Sequence, residues 1–451
     1  MRAEGVGSRG NPYPTVDELA RRARAMVAER PGTLRLRTVG TSRAGRPLWL
    51  LSAGHGEHQV LTVAGAHANE PVGGASTLTL AEDFVRDPRV LDELGCTWHF
   101  LLCLDPDGAT LGERRFAEHQ ASVPTLDGYY RGFYRPAFIS QPEFPPVAAD
   151  PHTAMPESRA LTRLIDELRP VVQFSLHGVE VGGSFLQLTR PVPGAPRAFR
   201  SVAAELGIPL EYRPFDGMGW FVDSPGVLVL PDGSPADERD PSGYTSQATW
   251  MYAMRHGTVS AVVEAPLWSV AAVSDPSPVA RPEREISRAA EILLSRTKQL
   301  EEVLGALADR PPADEARLPF HTAARELMDI GPGVVDTWNT HDAHGLGDAE
   351  LATTVGNSVS LGIAARRIPL RAAAMMRSAL DEPPEALDTL VRDWSRELET
   401  TFAARWVPVH RQTALHIRTM LHLVRQLLDR PDGPGGRGGP GGPGDRPRYQ
   451  H

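Results

Sequence analysis

The chain of 451 residues has almost no lysine: Lys298 stands alone, and the remaining 46 of its 47 basic residues are arginine. A lone arginine is therefore a weak functional signal here. Cysteine is nearly as scarce, and Cys96 and Cys103 close the run Cys96-Thr-Trp-His-Phe-Leu-Leu-Cys103 from its two ends. In an extended strand of about 3.3 Å per residue they sit roughly 23 Å apart, which excludes a disulfide between them. They read as core thiols, suited to a reducing compartment. Long apolar runs are missing as well. No stretch reaches the ~18 continuous apolar residues of a membrane span, and the first ten residues lack the apolar segment of a secretory signal. A cytoplasmic location with no membrane role is expected. Nor is there an excess of positive charge: a net charge of −9 and a pI near 5.9 exclude a broad nucleic-acid footprint. What is present, 41% hydrophobic and 23% charged residues with 42 Gly and 41 Pro, fits a globular protein of one to three domains.

Along the chain, residues 1–12 carry no pattern and are expected to be flexible. Thr15 to Arg30 reads as a helix, with Thr15 as cap, Asp17 and Glu18 in the first turn and Pro31-Gly32 as the stop. Apolar strands are expected at Leu34–Val39, Pro47–Ser52, Gln59–Ala64, Thr97–Leu104, Val171–Leu176 and Val259–Val263. Helices are expected at Pro71–Val85, Glu157–Leu168 and Arg284–Leu307. This rhythm implies an α/β fold, a mixed, mainly parallel sheet with helices on both faces, over residues 13–308. A linker follows at 309–317, then an all-α extension at 318–430, in which Glu385–Phe402 and Ala414–Leu428 are the clearest helices. That extension would pack on the sheet domain or on a second subunit, which would make the protein a homo-oligomer. Residues 431–451, with eight Gly and five Pro, cannot bury enough apolar area to order and read as a disordered tail.

The strongest chemical signal is Val60-Leu-Thr-Val-Ala-Gly-Ala-His67-Ala-Asn-Glu70-Pro. Here an apolar strand runs into a small-residue turn that presents His67 and Glu70 just before a helix. The carboxyl ends of parallel strands are where ligands bind, and His with Glu three residues on can bite one zinc ion. By itself the motif is weak, because about one H-x-x-E is expected by chance in this composition and a second occurs at His177-Gly-Val-Glu180. Two further strand ends strengthen it. His177 closes Val171-Val-Gln-Phe-Ser-Leu-His177, and Glu264 closes Val259-Ser-Ala-Val-Val-Glu264, a run apolar enough to leave that carboxylate partly dry and fit for general-base work.

Together these pieces resemble the M14 family of zinc carboxypeptidases, from about Tyr13 to Leu307. Val39-Gly-Thr-Ser-Arg-Ala-Gly-Arg-Pro-Leu is similar to the family's G-x-S-x-x-G-R-P turn, and Gly65-Ala-His-Ala-Asn-Glu-Pro-Val-Gly to its first two ligands. Leu104-Asp-Pro-Asp-Gly108 resembles the N-P-D-G loop with Asp105 in place of Asn, and Pro156-Glu-Ser-Arg-Ala-Leu resembles the P-E-x-x-A-L helix. Ser175-Leu-His177-Gly resembles the third ligand, and Glu264 falls at the place of the catalytic glutamate.

The resemblance implies one zinc per chain on His67, Glu70 and His177, with Glu264 as base and acid. Glu180 is not a ligand by this reading. Among arginines, Arg115 is the candidate for the oxyanion, while Arg131 and Arg135 in Tyr129-Tyr-Arg-Gly-Phe-Tyr-Arg-Pro are candidates for holding substrate, with Tyr244 as a covering residue. One departure is plain. The family's N-R pair, which clamps the terminal carboxylate of the substrate, has no match between Gly108 and His177, and its preceding Asp is missing too. The expected function is a zinc-dependent hydrolase of a peptide or small amide, foremost a metallocarboxypeptidase. The alternatives are a deacylase or amidase acting on an N-acyl amino acid, and a non-catalytic peptide-binding protein.

Overall fold

The structure is a computed structural model that describes residues 13–113, 123–143, 154–217, 220–230, 248–340 and 353–428. The expectations for residues 1–12 and for the tail at 431–451 lie outside the described residues. The strands are β1 Leu34–Thr41, β2 Pro47–Ala53, β3 His58–Val63, β4 Cys96–Leu101, β5 Val172–His177, β6 Val181–Gly182, β7 Phe185–Leu188, β8 Phe221–Ser224, β9 Val227–Val229, β10 Val259–Glu264, β11 Trp268–Ser269 and β12 Arg405–Trp406. The first helices are α1 Val16–Glu29, α2 Val72–Arg86, α3 Arg89–Leu94, α4 Pro106–Gly112, α5 Leu126–Arg131, α6 Pro156–Leu168, α7 Ala195–Leu206 and α8 Thr249–Tyr252. They continue with α9 Pro282–Leu304, α10 Leu318–Asp329, α11 Gly331–Thr340, α12 Val355–Ala379, α13 Glu385–Thr401 and α14 Val409–Leu428.

Local sequence explains most of these boundaries. Thr15 and Glu18 form a reciprocal capping box on α1, which satisfies two backbone donors that the first turn leaves open. Gly95, in the left-handed region at φ 59°, ends α3 and turns the chain into β4. The wholly buried runs of β4, β5 and β10 are the ones that read as apolar throughout, as strands covered on both faces must.

The main sheet has nine strands in the order β1-β2-β4-β3-β5-β10-β7-β9-β8. Its centre, β4-β3-β5-β10, is parallel, and antiparallel pairs join it to β2 on one side and β7 on the other. This is the mixed sheet with helices on both faces that the sequence implied. A small sheet, β12-β11-β6, ties the extension to the segment after β5.

The C-terminal region is helical, as expected, and its helices share cores with the sheet. Leu415, Met420, Leu423 and Val424 of α14 join the cluster of Trp98, Phe174 and Val263, with α14 lying over α2 and α7. Leu370 and Met375 of α12 lie in a second cluster with Tyr129, Tyr130, Phe133 and Trp268. Cys96 and Cys103 are free and buried, and burial pushes the Cys96 thiol up to about 12.

Candidate metal centre

The ends of β3, β5 and β10 lie side by side, with Val63 paired to Ser175 and His177 to Glu264. After β3 the chain turns at Gly65, whose φ of 60° suits glycine and whose place leaves no room for a Cβ, since one would meet Cys103 Sγ at 2.7 Å. The backbone N–H of Glu70 then donates to the carbonyl of His67, which folds the H-x-x-E turn onto itself ahead of α2. Gly73, in the first turn of α2, allows that helix to ride against the Leu176 carbonyl, where a Cβ would stand 3.0 Å away.

This packing brings His67, Glu70 and His177 together, all buried. Nδ1 of His67 lies 3.2 Å from Nδ1 of His177, and the Glu70 carboxylate faces both, at 3.0 and 2.8 Å. On the far side of the rings stands Glu143, whose oxygens lie 3.2 Å from His67 Nε2 and 3.1 Å from His177 Nε2. Ser175 donates its hydroxyl to Glu143 at 2.7 Å.

Proton counting then tests whether a metal fits. A neutral imidazole carries one N–H, and if each Nε2–H is given to Glu143, both Nδ1 lone pairs point at one another and at a carboxylate. Such a cluster of acceptors needs a cation among them. With none bound, protons fill the need: burial works against the charged forms, yet Glu143 and Glu70 hold the His177 imidazolium well above its usual range. For the same reason the imidazoles hold Glu70 and Glu143 well below theirs. The donor set of two imidazole nitrogens and a carboxylate is one that zinc takes. Glu143 with the two histidines forms an alternative triad on the Nε2 side. We favour the Nδ1 side, where three donors converge within 3.2 Å, and read Glu143 as the acid that fixes ring orientation and tautomer from behind.

Glu264 lines the same cavity of ≈ 200 Å³, with Arg135, Gln187, Trp220, Trp250 and Val262 around it. Arg135 donates to Glu70 at 2.9 Å and to Asn69 at 3.3 Å, and its Nη2 lies 3.3 Å from His67 Nε2, which sets its guanidinium against the cluster. Arg131 does not reach this site. It pairs with Asp127 at 3.3 Å and lines a different cavity between α5 and the extension, so the expectation that it holds substrate at the zinc is corrected. Arg115 and Tyr244 lie outside the described residues. Glu180 is buried away from the ligands and accepts from Asn69, Tyr130 and Arg371.

Sequence reasoning missed Glu143 because it sought an Asp ahead of an N-R pair, whereas the acid here is a Glu in Gln141-Pro-Glu143-Phe. It also missed Arg367 and Arg371, which line the cavity from α12 in the extension.

The family comparison agrees with the motifs. Residues 20–181 match the zinc carboxypeptidase family model, whereas among curated proteins no match reaches significance. Of solved structures, a metallo-carboxypeptidase from Burkholderia cenocepacia is similar at 16% identity over 57% of this chain and 61% of its own, with a TM-score of 0.37. Carboxypeptidase A from Helicoverpa armigera is similar at 16% identity over 59% and 68%, with a TM-score of 0.38. The stretch that supplies His67, Glu70 and His177 is thus the one that matches the zinc carboxypeptidase model of the M14 family, over residues 20–181.

Proposed function

We propose that the protein is a zinc-dependent metallocarboxypeptidase, hydrolysing the last peptide bond of a substrate. The observation that carries this reading is the convergence of three strand ends. His67, Glu70 and His177 face one point, and Glu264 stands in the same cavity on the neighbouring strand.

His67, Glu70 and His177 would hold one zinc ion, which when bound supplies Lewis acidity and a water of lowered pKa. Glu264, set against Val262 and Trp250, takes the proton of the attacking water and returns it to the departing amine. Arg135 presents N–H donors on the ligand side of the cavity, where they can receive the oxyanion of the scissile carbonyl. Because Trp220, Trp250 and Val262 form an apolar wall, and no acid beyond those of the site lines it among the described residues, an apolar terminal side chain is favoured over a basic one.

Metal analysis of the purified protein should find about one zinc per chain, lost in His67→Ala. Glu264→Gln should keep that zinc while hydrolysis of a peptide acid drops by roughly 10²–10⁴-fold, the range for loss of a general base. Full activity in Glu264→Gln would overturn the mechanism. Assaying a peptide acid beside an N-acyl amino acid separates a peptidase from a deacylase.

A further inference from the structure

The chain holds two H-x-x-E motifs, and the second, His177-Gly-Val-Glu180, splits its two ends between different tasks. His177 faces Glu70 at the metal point, whereas Glu180 is 0% exposed and takes its hydrogen bonds elsewhere. A carboxylate held that deep needs several donors and a positive charge. Three separate segments supply them. Asn69 Nδ2, from the turn after β3, donates to Glu180 Oε1 at 3.1 Å, and the Tyr130 hydroxyl of α5 donates to Oε2 at 3.3 Å. Arg371 of α12 brings the charge from 191 residues further along, its Nε lying 3.1 and 3.0 Å from the two oxygens and its Nη2 3.0 Å from Oε2. The same guanidinium lies 5.8 Å over the Phe133 ring, and its side chain is 11% exposed.

Asn69 links this network to the metal. It stands between His67 and Glu70 in the first motif, and it is 0% exposed. Its polar groups are held from outside the turn: the side-chain amide donates to Glu180, the side-chain oxygen accepts from Arg135 Nη1 at 3.3 Å, and the backbone carbonyl accepts from the Tyr129 hydroxyl at 3.1 Å. The turn's own backbone bond, from the Glu70 N–H to the His67 carbonyl, spans only three residues, and α2 behind it starts after Pro71, which supplies no side-chain cap. How the turn presents its two ligands therefore depends on what grips Asn69. Glu180 takes the Asn69 amide and Arg371 engages both Glu180 oxygens, which sets a helix of the extension two contacts away from the first H-x-x-E turn.

We propose that Arg371 is a positioning residue for the metal centre: through Glu180 and Asn69 it holds the turn that carries His67 and Glu70, so that the helical extension sets how tightly the zinc ion is bound. This rests on the metal-binding part of the reading above, and its test requires no turnover. Groups that orient metal ligands from outside change metal affinity by about 10–100-fold when they are removed. The contact with both carboxylate oxygens is specific to arginine, since lysine keeps the charge but not the planar fork.

The test measures the zinc affinity of the full-length protein by competition with a chelating dye, well below the thermal midpoint of the metal-free form, which is recorded beside it. Asn69→Ala and Arg371→Gln should each weaken zinc by about tenfold or more while one metal per chain is retained. Because the two residues act along one route, the double variant should bind less than about threefold more weakly than the worse single variant. Arg371→Lys should fall between the wild type and Arg371→Gln. If Arg371→Gln does not fold, Arg371→Lys, alone and with Asn69→Ala, supplies the same comparison. Zinc affinity within about threefold of wild type in whichever Arg371 variant folds, even with a lowered thermal midpoint, would show a role in stability alone and overturn the proposal. So would two losses that multiply in the double variant. A wild-type protein that takes up no zinc would overturn the metal reading and this proposal together. Failure to cut any peptide with zinc bound would instead overturn the peptidase reading and leave the zinc affinities to judge Arg371 on their own.

Discussion

At the scale of single residues, Asp105 shows what one side chain can cost. It begins α4, where its Oδ1 accepts from the Gly108 N–H at 2.9 Å, and a Cβ on Gly108 would lie 2.1 Å from its Oδ2. It is 1% exposed, and Oδ2 has no hydrogen-bond partner among the described residues. Burial raises its pKa to about 7, helped by the charges of Glu157 and Asp107 and opposed by the Gly108 hydrogen bond. The folded chain therefore keeps a proton that the unfolded chain releases near pH 4, so stability falls as pH rises from about 4 to 7. Asp105→Asn, which keeps the cap without the charge, should flatten that decline and raise stability by a few kcal/mol at pH 8, with little gain at pH 4. Thermal unfolding midpoints across this range decide it, and a gain independent of pH would refute the assignment.

Glu143 carries a second prediction at this scale. As the acid behind both imidazoles it should govern zinc affinity without binding zinc, so Glu143→Gln is expected to weaken zinc by 10–100-fold while leaving one metal per chain. Complete loss of metal, with retention in Glu70→Gln, would move the metal to the Nε2 side. The residues that were legible in the sequence share a simple property: His177 and Glu264 close apolar strands and His67 lies in the turn just past one, so local pattern announces them. Glu143 lies between Pro142 and Phe144 in a segment with no periodicity, and Arg367 and Arg371 are two arginines among 46. No local signal separates such residues from their neighbours, because their role is set by which distant elements pack together.

At the scale of elements, the same contrast separates α1 and α6 from α12. The first two have an apolar stripe and a polar face, and α1 is bounded by its Thr15 cap and the Pro31-Gly32 stop, whereas α6 opens on Pro156. Helix α12 has 25 residues of which 17 are buried, and it holds Pro369 within its length. A helix covered on nearly all sides loses the amphipathic stripe that periodicity detects, and proline argues locally against a helix at all. Tertiary packing overrides both, for α12 lies against α9, α10 and α13, and Gly356 lets its start approach the Val273 carbonyl, which a Cβ would meet at 2.4 Å. The short strands β7, β8 and β9 escaped notice for a related reason, being three or four residues long, with only Pro225-Gly226 between β8 and β9. Helix α14 offers an elemental test. Leu415 is fully buried between it and the sheet domain, so Leu415→Ala should destabilise the protein by about 2–5 kcal/mol, measured by denaturant titration. A change under 0.5 kcal/mol would show that α14 adds little to the core.

At the scale of the whole molecule, the question is whether the extension is an appendage or a part of the enzyme. Two helices bear on it from opposite sides. Helix α14 covers α2 and α7, and its apolar residues share a cluster with Trp98 and Phe174 of the central strands. Helix α12 brings Arg371 to Glu180, which is 0% exposed. Removing both would open the apolar layer over the sheet and leave a buried carboxylate without its charged partner. Breaking a buried ion pair by removing one member alone costs about 3–5 kcal/mol, a large share of the 5–15 kcal/mol that holds a typical domain together. A chain truncated after Ala308 is therefore expected not to fold, giving no sharp thermal transition and no stoichiometric zinc. The full chain should unfold in one cooperative step, with zinc lost in the same transition. A truncated protein that stayed monomeric, unfolded cooperatively and held one zinc would show that the α/β part is self-sufficient.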